Sequence, residues 1–518
     1  MAGLVHWNVA TRWSRFAAGA RSHAWQVQVT GTVSNPEVHL ERPITPICKA
    51  IPAPEYFPPW FSVTSPHTRR RYSLSFSRPI SSKPCSFAFK QLDCILNDDQ
   101  RQLRQYVRDF VEKEVAPHAE TWDRSSSLPE YLFPLLGRCG FLGPTAPTVY
   151  GGLGLDYLTH VIIMEELSRA SGGVGLSYAA HSNLCINQIC RWGSPRQQQK
   201  WLPRLIDGTA VGALAMSEQA AGSDVLSMRT YVQKNDDGSF TLRGSKSWVT
   251  NGPSADIIVV YAKTLTGGEA AKSMPSSETG ESRSLTAVVL EKGMPGFHRG
   301  EKLDKLGMRC SETCELFFDD VQIPQQNVLG TPGKGVAILM SGLDSERLVL
   351  AGGPVGIIAA CLDVVLPYVN TRTQFGVPVG DFELMQGKVA DMYAALLAQR
   401  AMLYTVARAY SDGAADRLDC AAVILSCAEK ATAVALDAIQ MLGANGYMQE
   451  YPAGRLLRDS KLYEIGAGTS EIRRMLIGRE LNKRLRSGTL HDSLQTEMEM
   501  KTQRTAAVTS LHTRDRED

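Results

Sequence analysis

The pattern of apolar positions changes twice along this chain. Between residues 97 and 210 it is mostly helical. Leu103, Val107, Phe110 and Val111 follow at spacings of 4, 3 and 1, the stripe of an amphipathic helix. Asn97-Asp98-Asp99-Gln100 supplies a start for that helix and Pro117 a stop; Leu158 to Arg169 is a second helix. From 211 to 325 short β-branched runs take over: Phe240 to Leu242, Ile257 to Ala262, Leu285 to Leu290, and Glu315 to Phe318. Asn235-Asp236-Asp237-Gly238-Ser239 reads as a hairpin-like turn just before the first of them. Helical spacing then returns, predicting helices over 334–370, 383–410, 419–442 and 470–485, with breaks at Gly376 and Pro378 and at Gly443 and Gly446.

A helical block, a β block and a second helical block predict segregated layers rather than a doubly wound sheet. The expected division is an N-terminal α domain at 93–210, a middle β domain at 211–327 and a C-terminal helical bundle at 328–485. A largely disordered leader at 1–92 and a flexible tail at 486–518 are expected to flank them. The Gly-, Ser-, Glu- and Pro-rich stretch 264–283 reads as an exposed loop.

Composition narrows the function. With 518 residues and a formal charge of +2, the chain is long enough for several units and too balanced to predict nucleic acid as a partner. Its 11 cysteines are irregularly spaced, and the closest pair, Cys310 and Cys314, has no histidine nearby, so no metal site is expected. No uninterrupted apolar run reaches the ~18 residues of a membrane span, so no transmembrane segment is expected. The first ninety residues hold eleven Lys/Arg and three acids, with no acid before Glu37. Arg12, Arg15 and Arg21 lie among small and apolar residues there, a composition that predicts import into the mitochondrial matrix.

Four places carry chemistry. In Ser341-Gly-Leu-Asp-Ser-Glu-Arg-Leu-Val-Leu350, a helix puts Leu339, Leu343, Glu346 and Leu350 on one face. An acid on an apolar stripe is either held in a buried salt bridge or set beside a ligand, where desolvation raises its proton affinity. Met216 to Asp224 is small and hydroxyl-rich, a backbone that a cofactor can approach closely or merely a structural turn. Trp248 and Thr250 come just before an Asn251-Gly252 turn and read as cofactor contacts or as packing. Gly466 to Arg474 leads two glycines into Thr469 and Ser470; it is either a cradle of free amides or a tight helix–helix turn. Arg372 and Gln440 to Ala444 are ambiguous alone. Neither a Gly-x-Gly-x-x-Gly nor a Gly-x4-Gly-Lys-Ser/Thr motif is present, which speaks against a dinucleotide or P-loop fold.

Taken together, the motifs resemble one family. They are Tyr150-Gly-Gly-Leu-Gly154, Met164-Glu-Glu-Leu-Ser-Arg169, His181-Ser-Asn-Leu-Cys-Ile-Asn187, Leu214 to Asp224, Lys302-Leu-Asp-Lys-Leu-Gly-Met-Arg309 and Leu462 to Arg474. In this order, over about residues 93 to 485, the chain resembles the acyl-CoA dehydrogenases, and within them the members acting on isovaleryl-CoA. The resemblance implies an N-terminal α-helical domain, a middle β-barrel or sheet domain and a C-terminal four-helix bundle, assembled as a homotetramer. It implies FAD-dependent α,β-dehydrogenation of isovaleryl-CoA to 3-methylcrotonyl-CoA in leucine catabolism, with electrons passed to electron-transferring flavoprotein. Butyryl-, valeryl- or 2-methylbutyryl-CoA are the alternative substrates; an acyl-CoA oxidase and an FAD-free interaction scaffold are the alternative functions.

The same resemblance assigns residues. Glu346 matches the base of the isovaleryl-type members, whereas many relatives carry a glutamate where this chain has Ala467; Glu464 matches a structural hydrogen-bonding position. FAD contacts are implied for Leu214, Ala215, Met216, Ser217, Glu218, Gln219, Ala220, Ala221, Gly222 and Ser223 and for Trp248, Val249 and Thr250. They are also implied for Arg372, Glu383, Gln440, Met441, Leu442, Gly443 and Ala444, and for Thr469, Ser470 and Glu471. The acyl-CoA positions are Ser223, Ser282, Arg283, Ala337, Asp344, Ser345, Glu346, Arg347, Ala467 and Gly468. Five positions depart from the family pattern: Ala444 for glycine, Glu383 for glutamine, Ala337 for tyrosine, Cys310 for glycine, and Thr148-Val149 for two glutamates.

Overall fold

The computed structural model describes residues 95–265 and 284–487. The expected leader, nearly all of the expected loop and tail, and the substrate positions Ser282 and Arg283 lie outside the described residues.

Seven helices come first: α1 (Asp98–Glu114), α2 (Ala119–Ser125), α3 (Leu132–Arg138), α4 (Tyr157–Ala170), α5 (Gly172–Ala179), α6 (Asn187–Trp192) and α7 (Pro195–Ile206). Their starts follow from local chemistry. Asn97 accepts from the Gln100 amide at 2.8 Å while the Gln100 side chain accepts from the Asn97 amide, a reciprocal cap of two otherwise orphaned donors. Ser194 and Gln197 repeat it before α7, with Pro195 in the first turn. A π-helical segment, Ala180–Ile186, interrupts the run between α5 and α6.

The sheet comprises β1 (Gly212–Ala215), β2 (Tyr231–Lys234), β3 (Phe240–Thr250), β4 (Ile257–Leu265), β5 (Leu285–Glu291), β6 (Phe297–Arg299), β7 (Thr313–Ile323) and β8 (Val328–Leu329). Its order is β6-β7-β3-β2-β4-β5-β8, and β1 and β2 run parallel along opposite ends of the same edge of β4. β2 and β3 form the expected hairpin. The barrel alternative is corrected: the sheet is open, because β6 and β8 pair with no strand beyond their inner neighbours. It nevertheless encloses a core of its own. Ile258, Val260 and Ala262 of β4 pack there with Leu242, Leu316 and Phe318. Ile257, Val259 and Tyr261 of the same strand point the other way, into the core shared with the helices. That explains the unbroken apolar run of β4, since a strand buried on both faces shows no alternation.

The second helical block holds α8 (Gly335–Leu350), α9 (Gly352–Thr371), α10 (Glu383–Ser411), α11 (Arg417–Leu442), α12 (Ala444–Tyr447), α13 (Ala453–Leu462) and α14 (Ser470–Arg486). A two-stranded hairpin, β9 (Thr373–Gln374) with β10 (Val377–Pro378), separates α9 from α10. The single helix expected over 334–370 is two helices that break at Ala351, where the apolar pattern continues and leaves no mark of the turn. α13 was not expected. By length and composition alone, Gly335–Thr371 is apolar enough to cross a bilayer. Within the fold, 89% of its most apolar window is buried, so its apolar faces are taken up by the core. α4 lies against α9, and its two acids are met by arginines of both helical blocks. Glu166 is paired with Arg104 and Arg108 of α1, and Glu165 with Arg400 of α10.

Candidate active site

Glu346 lies on the inner face of α8, half-buried, and its carboxylate makes no hydrogen bond or ion pair among the described residues. The salt bridge weighed for it is therefore not formed there. Burial pushes its pKa up from 4.5 to about 7, against the pull of Arg347 and Arg473. Asp344, two residues away, is engaged instead with Arg347 at 3.0 Å. Across from α8, Tyr261 of β4 feels the Glu346 charge, and its buried hydroxyl has no partner among the described residues.

Arg347 ties α8 to the turn before α14, donating from Nε to the Ala467 carbonyl at 3.3 Å. In that turn Ala467 has φ 57° and Gly468 φ 85°, and Thr469 caps α14 by accepting from the Ile472 amide at 3.3 Å. The amides of Ala467, Gly468 and Thr469 donate to no group among the described residues. Glu464 is occupied: one oxygen accepts from the Thr432 hydroxyl, and the other lies 2.7 Å from Lys461.

The sheet contributes an exposed rim. Glu218 is buried and accepts from the Arg229 and Thr230 amides and from Lys246, whose ammonium lies 2.9 Å away and also reaches the Met216 carbonyl. Its side chain therefore fixes the loop from inside and is not available to a ligand. Beyond it, Gln219, Ala220, Gly222 and Ser223 are exposed, and a methyl group at Gly222 would meet nothing within 4 Å. Trp248 sits at a register shift between β3 and β7 with φ 58°, and this bulge leaves its indole 49% exposed. The Thr250 hydroxyl makes no hydrogen bond among the described residues. Ala215, Ala221 and Val249 are buried in the cores beneath this rim.

One short segment joins both sides. In the π-helical stretch, His181 Nδ1 accepts from the Gly212 amide at 2.8 Å, which leaves Nε2 to donate to the Leu205 carbonyl at 2.8 Å. This fixes the tautomer. Asn183 donates to the Ser345 carbonyl at 3.2 Å, next to Glu346. Asn251, at φ 62°, donates to the Ser177 and Gly212 carbonyls at 2.9 and 3.1 Å. β1, the end of β3 and α8 are thus pinned to one piece of backbone.

Arg372, Glu383 and Gln440 are all exposed and lie at the other end of the bundle, where the Tyr368 hydroxyl donates to the Leu442 carbonyl at 3.1 Å. α11 spans the gap; its cap Asp416 and first residue Arg417 act on Asp344, and the helix runs 26 residues to Leu442, roughly 39 Å. Within one chain the two groups do not meet. Met441 and Leu442 are core side chains, while Gly443 and Ala444 are exposed. Ala337 is exposed on the first turn of α8. Thr148 and Val149 are surface residues, and Cys310 is buried against Gly173.

Comparison with known proteins decides the family. The signatures "Acyl-CoA dehydrogenase, N-terminal domain", "middle domain" and "C-terminal domain" match residues 97–209, 213–321 and 333–482. Mitochondrial isovaleryl-CoA dehydrogenase of Solanum tuberosum is 57% identical over 399 residues, covering 77% of this chain and 94% of that protein. The chain belongs to the acyl-CoA dehydrogenase family. This dehydrogenase is also 55% identical to the mitochondrial 2-methylacyl-CoA dehydrogenase of Solanum tuberosum, over 75% of this chain and 92% of that one. Among solved structures, glutaryl-CoA dehydrogenase of Mycobacterium smegmatis in complex with FADH2 aligns with TM-score 0.70 at 28% identity, covering 76% and 96% of the two chains. Its activity is FAD-dependent acyl-CoA dehydrogenation, and the site fits that cofactor. A half-exposed indole at a bulge, an unpartnered hydroxyl, open backbone at Gly222 and a row of free amides are what a flavin with its polar substituents requires.

Three contributors escaped the sequence reading as roles: His181, Asn183 and Asn251. The first two stood inside a quoted motif, but a π-helical segment has no periodicity of its own in seven residues. Asn251 offered one signal, because asparagine tolerates the left-handed conformation found there.

Proposed function

We propose that this acyl-CoA dehydrogenase desaturates isovaleryl-CoA to 3-methylcrotonyl-CoA, with Glu346 as the base. One observation carries the reading: a carboxylate without a partner among the described residues, its pKa pushed up to about 7, on a helix whose next residue grips a turn whose amides donate to none of those residues. Glu346 takes the α proton. The Ala467 and Gly468 amides receive the thioester oxygen as negative charge develops on it, and Ala467, lacking an ionisable group, leaves room for a base arriving from α8. FAD, when bound, supplies the two-electron acceptor that desaturation requires. The rim of Met216 to Ser223, open at Gln219, Ala220, Gly222 and Ser223, would hold it on one side with Trp248 and Thr250. Arg372, Glu383 and Gln440 to Ala444 would hold its far end from a second copy, in a homotetramer, while Thr469 to Glu471, next to the Ala467–Gly468 turn, would hold it from the same chain as Glu346. The gap along α11 within one chain supports a shared site.

The relatives are named mitochondrial, and the arginine-rich, acid-free start agrees with matrix import, with electron-transferring flavoprotein as the electron acceptor. Substrate width follows from pocket energetics: one methylene is worth only ~1–3 kcal/mol in an apolar pocket. The 2-methylacyl relative favours a second reading, preference for 2-methylbutyryl-CoA. Comparing kcat/KM for isovaleryl-, 2-methylbutyryl-, butyryl- and valeryl-CoA tests both. The highest value is expected for isovaleryl-CoA. A highest value for 2-methylbutyryl-CoA selects the second reading, and no bleaching of the flavin by any of the four rejects both.

A further inference from the structure

Arg473, in the first turns of α14, is fully buried. Its Nη2 donates to the Gly466 carbonyl, whereas Nε and Nη1 have no partner among the described residues. Arg347 takes the next carbonyl, Ala467, at 3.3 Å. Two guanidiniums from two helices therefore hold two successive carbonyls of one turn. A trans peptide is planar with its N–H opposed to its C=O. Anchoring the Gly466 carbonyl fixes where the Ala467 amide points, and anchoring the Ala467 carbonyl fixes the Gly468 amide. Neither amide donates to a group among the described residues. The turn needs such support: Ala467 is held at φ 57°, a left-handed conformation that crowds a residue with a Cβ.

The charge arrangement points the same way. Two buried cations side by side are costly. Arg347 and burial both act against the charge on Arg473, with Glu346, Glu429 and Glu464 opposing them. What the pair provides is a positive potential beside the two free amides, where a developing oxyanion gains most.

We infer that Arg473 is a positioning residue for the desaturation: together with Arg347 it aims the Ala467 and Gly468 amides at the thioester oxygen of the acyl-CoA. The inference rests on the reading of Glu346 as the base. It assigns Arg473 no proton transfer; its contribution is the orientation of the donors and the field behind them.

The test uses the FAD-loaded enzyme and 3-methylcrotonyl-CoA labelled with carbon-13 at the thioester carbonyl. Infrared difference spectra report how strongly the bound carbonyl is polarised. In the unaltered enzyme the band should lie below its position in water. Arg473→Gln should lose more than half of that displacement and at least about tenfold in kcat, with FAD content near normal and a smaller change in KM. Arg473→Lys, which keeps the charge without the planar fork, should lie between the two, and it carries the same test if the glutamine variant does not accumulate. A full displacement with unchanged kcat in whichever variant folds overturns the inference. Glu346→Gln separates the two readings: it should abolish turnover and keep the displaced band. Unimpaired turnover in Glu346→Gln would instead reject the parent reading.

Discussion

Arg400 and Glu165 meet with both side chains buried: Nε and Nη2 of the guanidinium lie 3.0 and 2.6 Å from one carboxylate oxygen. The Tyr404 hydroxyl takes the other oxygen at 2.8 Å. The pair joins α10 to α4, and so the second helical block to the first. Arg400→Met removes the stronger partner and leaves a buried carboxylate with a hydroxyl and with Arg104 at 4.0 Å. A loss of about 3–5 kcal/mol is expected, read as a drop in Tm at matched FAD concentration. A drop no larger than that of a surface Arg→Met control would show that the pair does not join the blocks.

Glu346→Gln should reduce turnover at least ~100-fold with acyl-CoA binding retained, the usual range for a lost general base. The carboxylate must be ionised to act, so kcat/KM should rise with pH through about 7 and then level. The same shift predicts stability of the opposite sense. The native state holds a proton between pH 4.5 and 7 that the unfolded chain has released, so stability falls as pH rises through that window. At pH 8 the glutamine variant should therefore melt above the unaltered enzyme. Melting points compared at pH 5 and pH 8 check the sign.

Acid should loosen the segment that joins the sheet to α8. Burial lowers the His181 pKa to about 4 and that of His160 to about 3. The unfolded chain binds protons on both below about 6.5, the native chain only lower, so stability is lost as pH falls from 6.5. The slope is about 1.4 kcal/mol per pH unit for each histidine. His181→Gln should flatten it in melts between pH 5 and 6.5. An unchanged slope would place the acid sensitivity elsewhere.

Gly173 and Cys310 form a fitted pair. A Cβ on Gly173 would lie 2.4 Å from Cys310 Sγ. Gly173→Ala should cost about 1–3 kcal/mol through overpacking, and Cys310→Gly should be destabilising by itself. Combined, they should recover most of the loss. A double-mutant cycle in Tm measures that coupling, and additivity would show that the contact is absent.

Much of this was legible in the sequence, for identifiable reasons. α1 carried both halves of its cap in Asn97 and Gln100, and Glu346 stood out because an acid interrupted a leucine stripe. The break at Ala351 was hidden because alanine between apolar neighbours marks neither a helix nor its end. The pairing of Glu218 with Lys246 was not legible, because Lys246 lies on β3, 28 residues on, and pairings made by topology leave no local trace. The open sheet could not be told from a barrel for the same reason: closure depends on which edges meet.

The apolar stretch Gly335–Thr371 has a consequence outside the native state. Folded, this part of the molecule has 89% of its most apolar window shielded by the core. On a nascent or translocating chain it is the most adhesive, a span that neighbouring chains and lipid would compete to cover before α4 and α11 arrive. The protein's need for a holding chaperone should therefore centre on these 37 residues, and its aggregation on release from denaturant should scale with how long they wait for partners that are distant in the sequence.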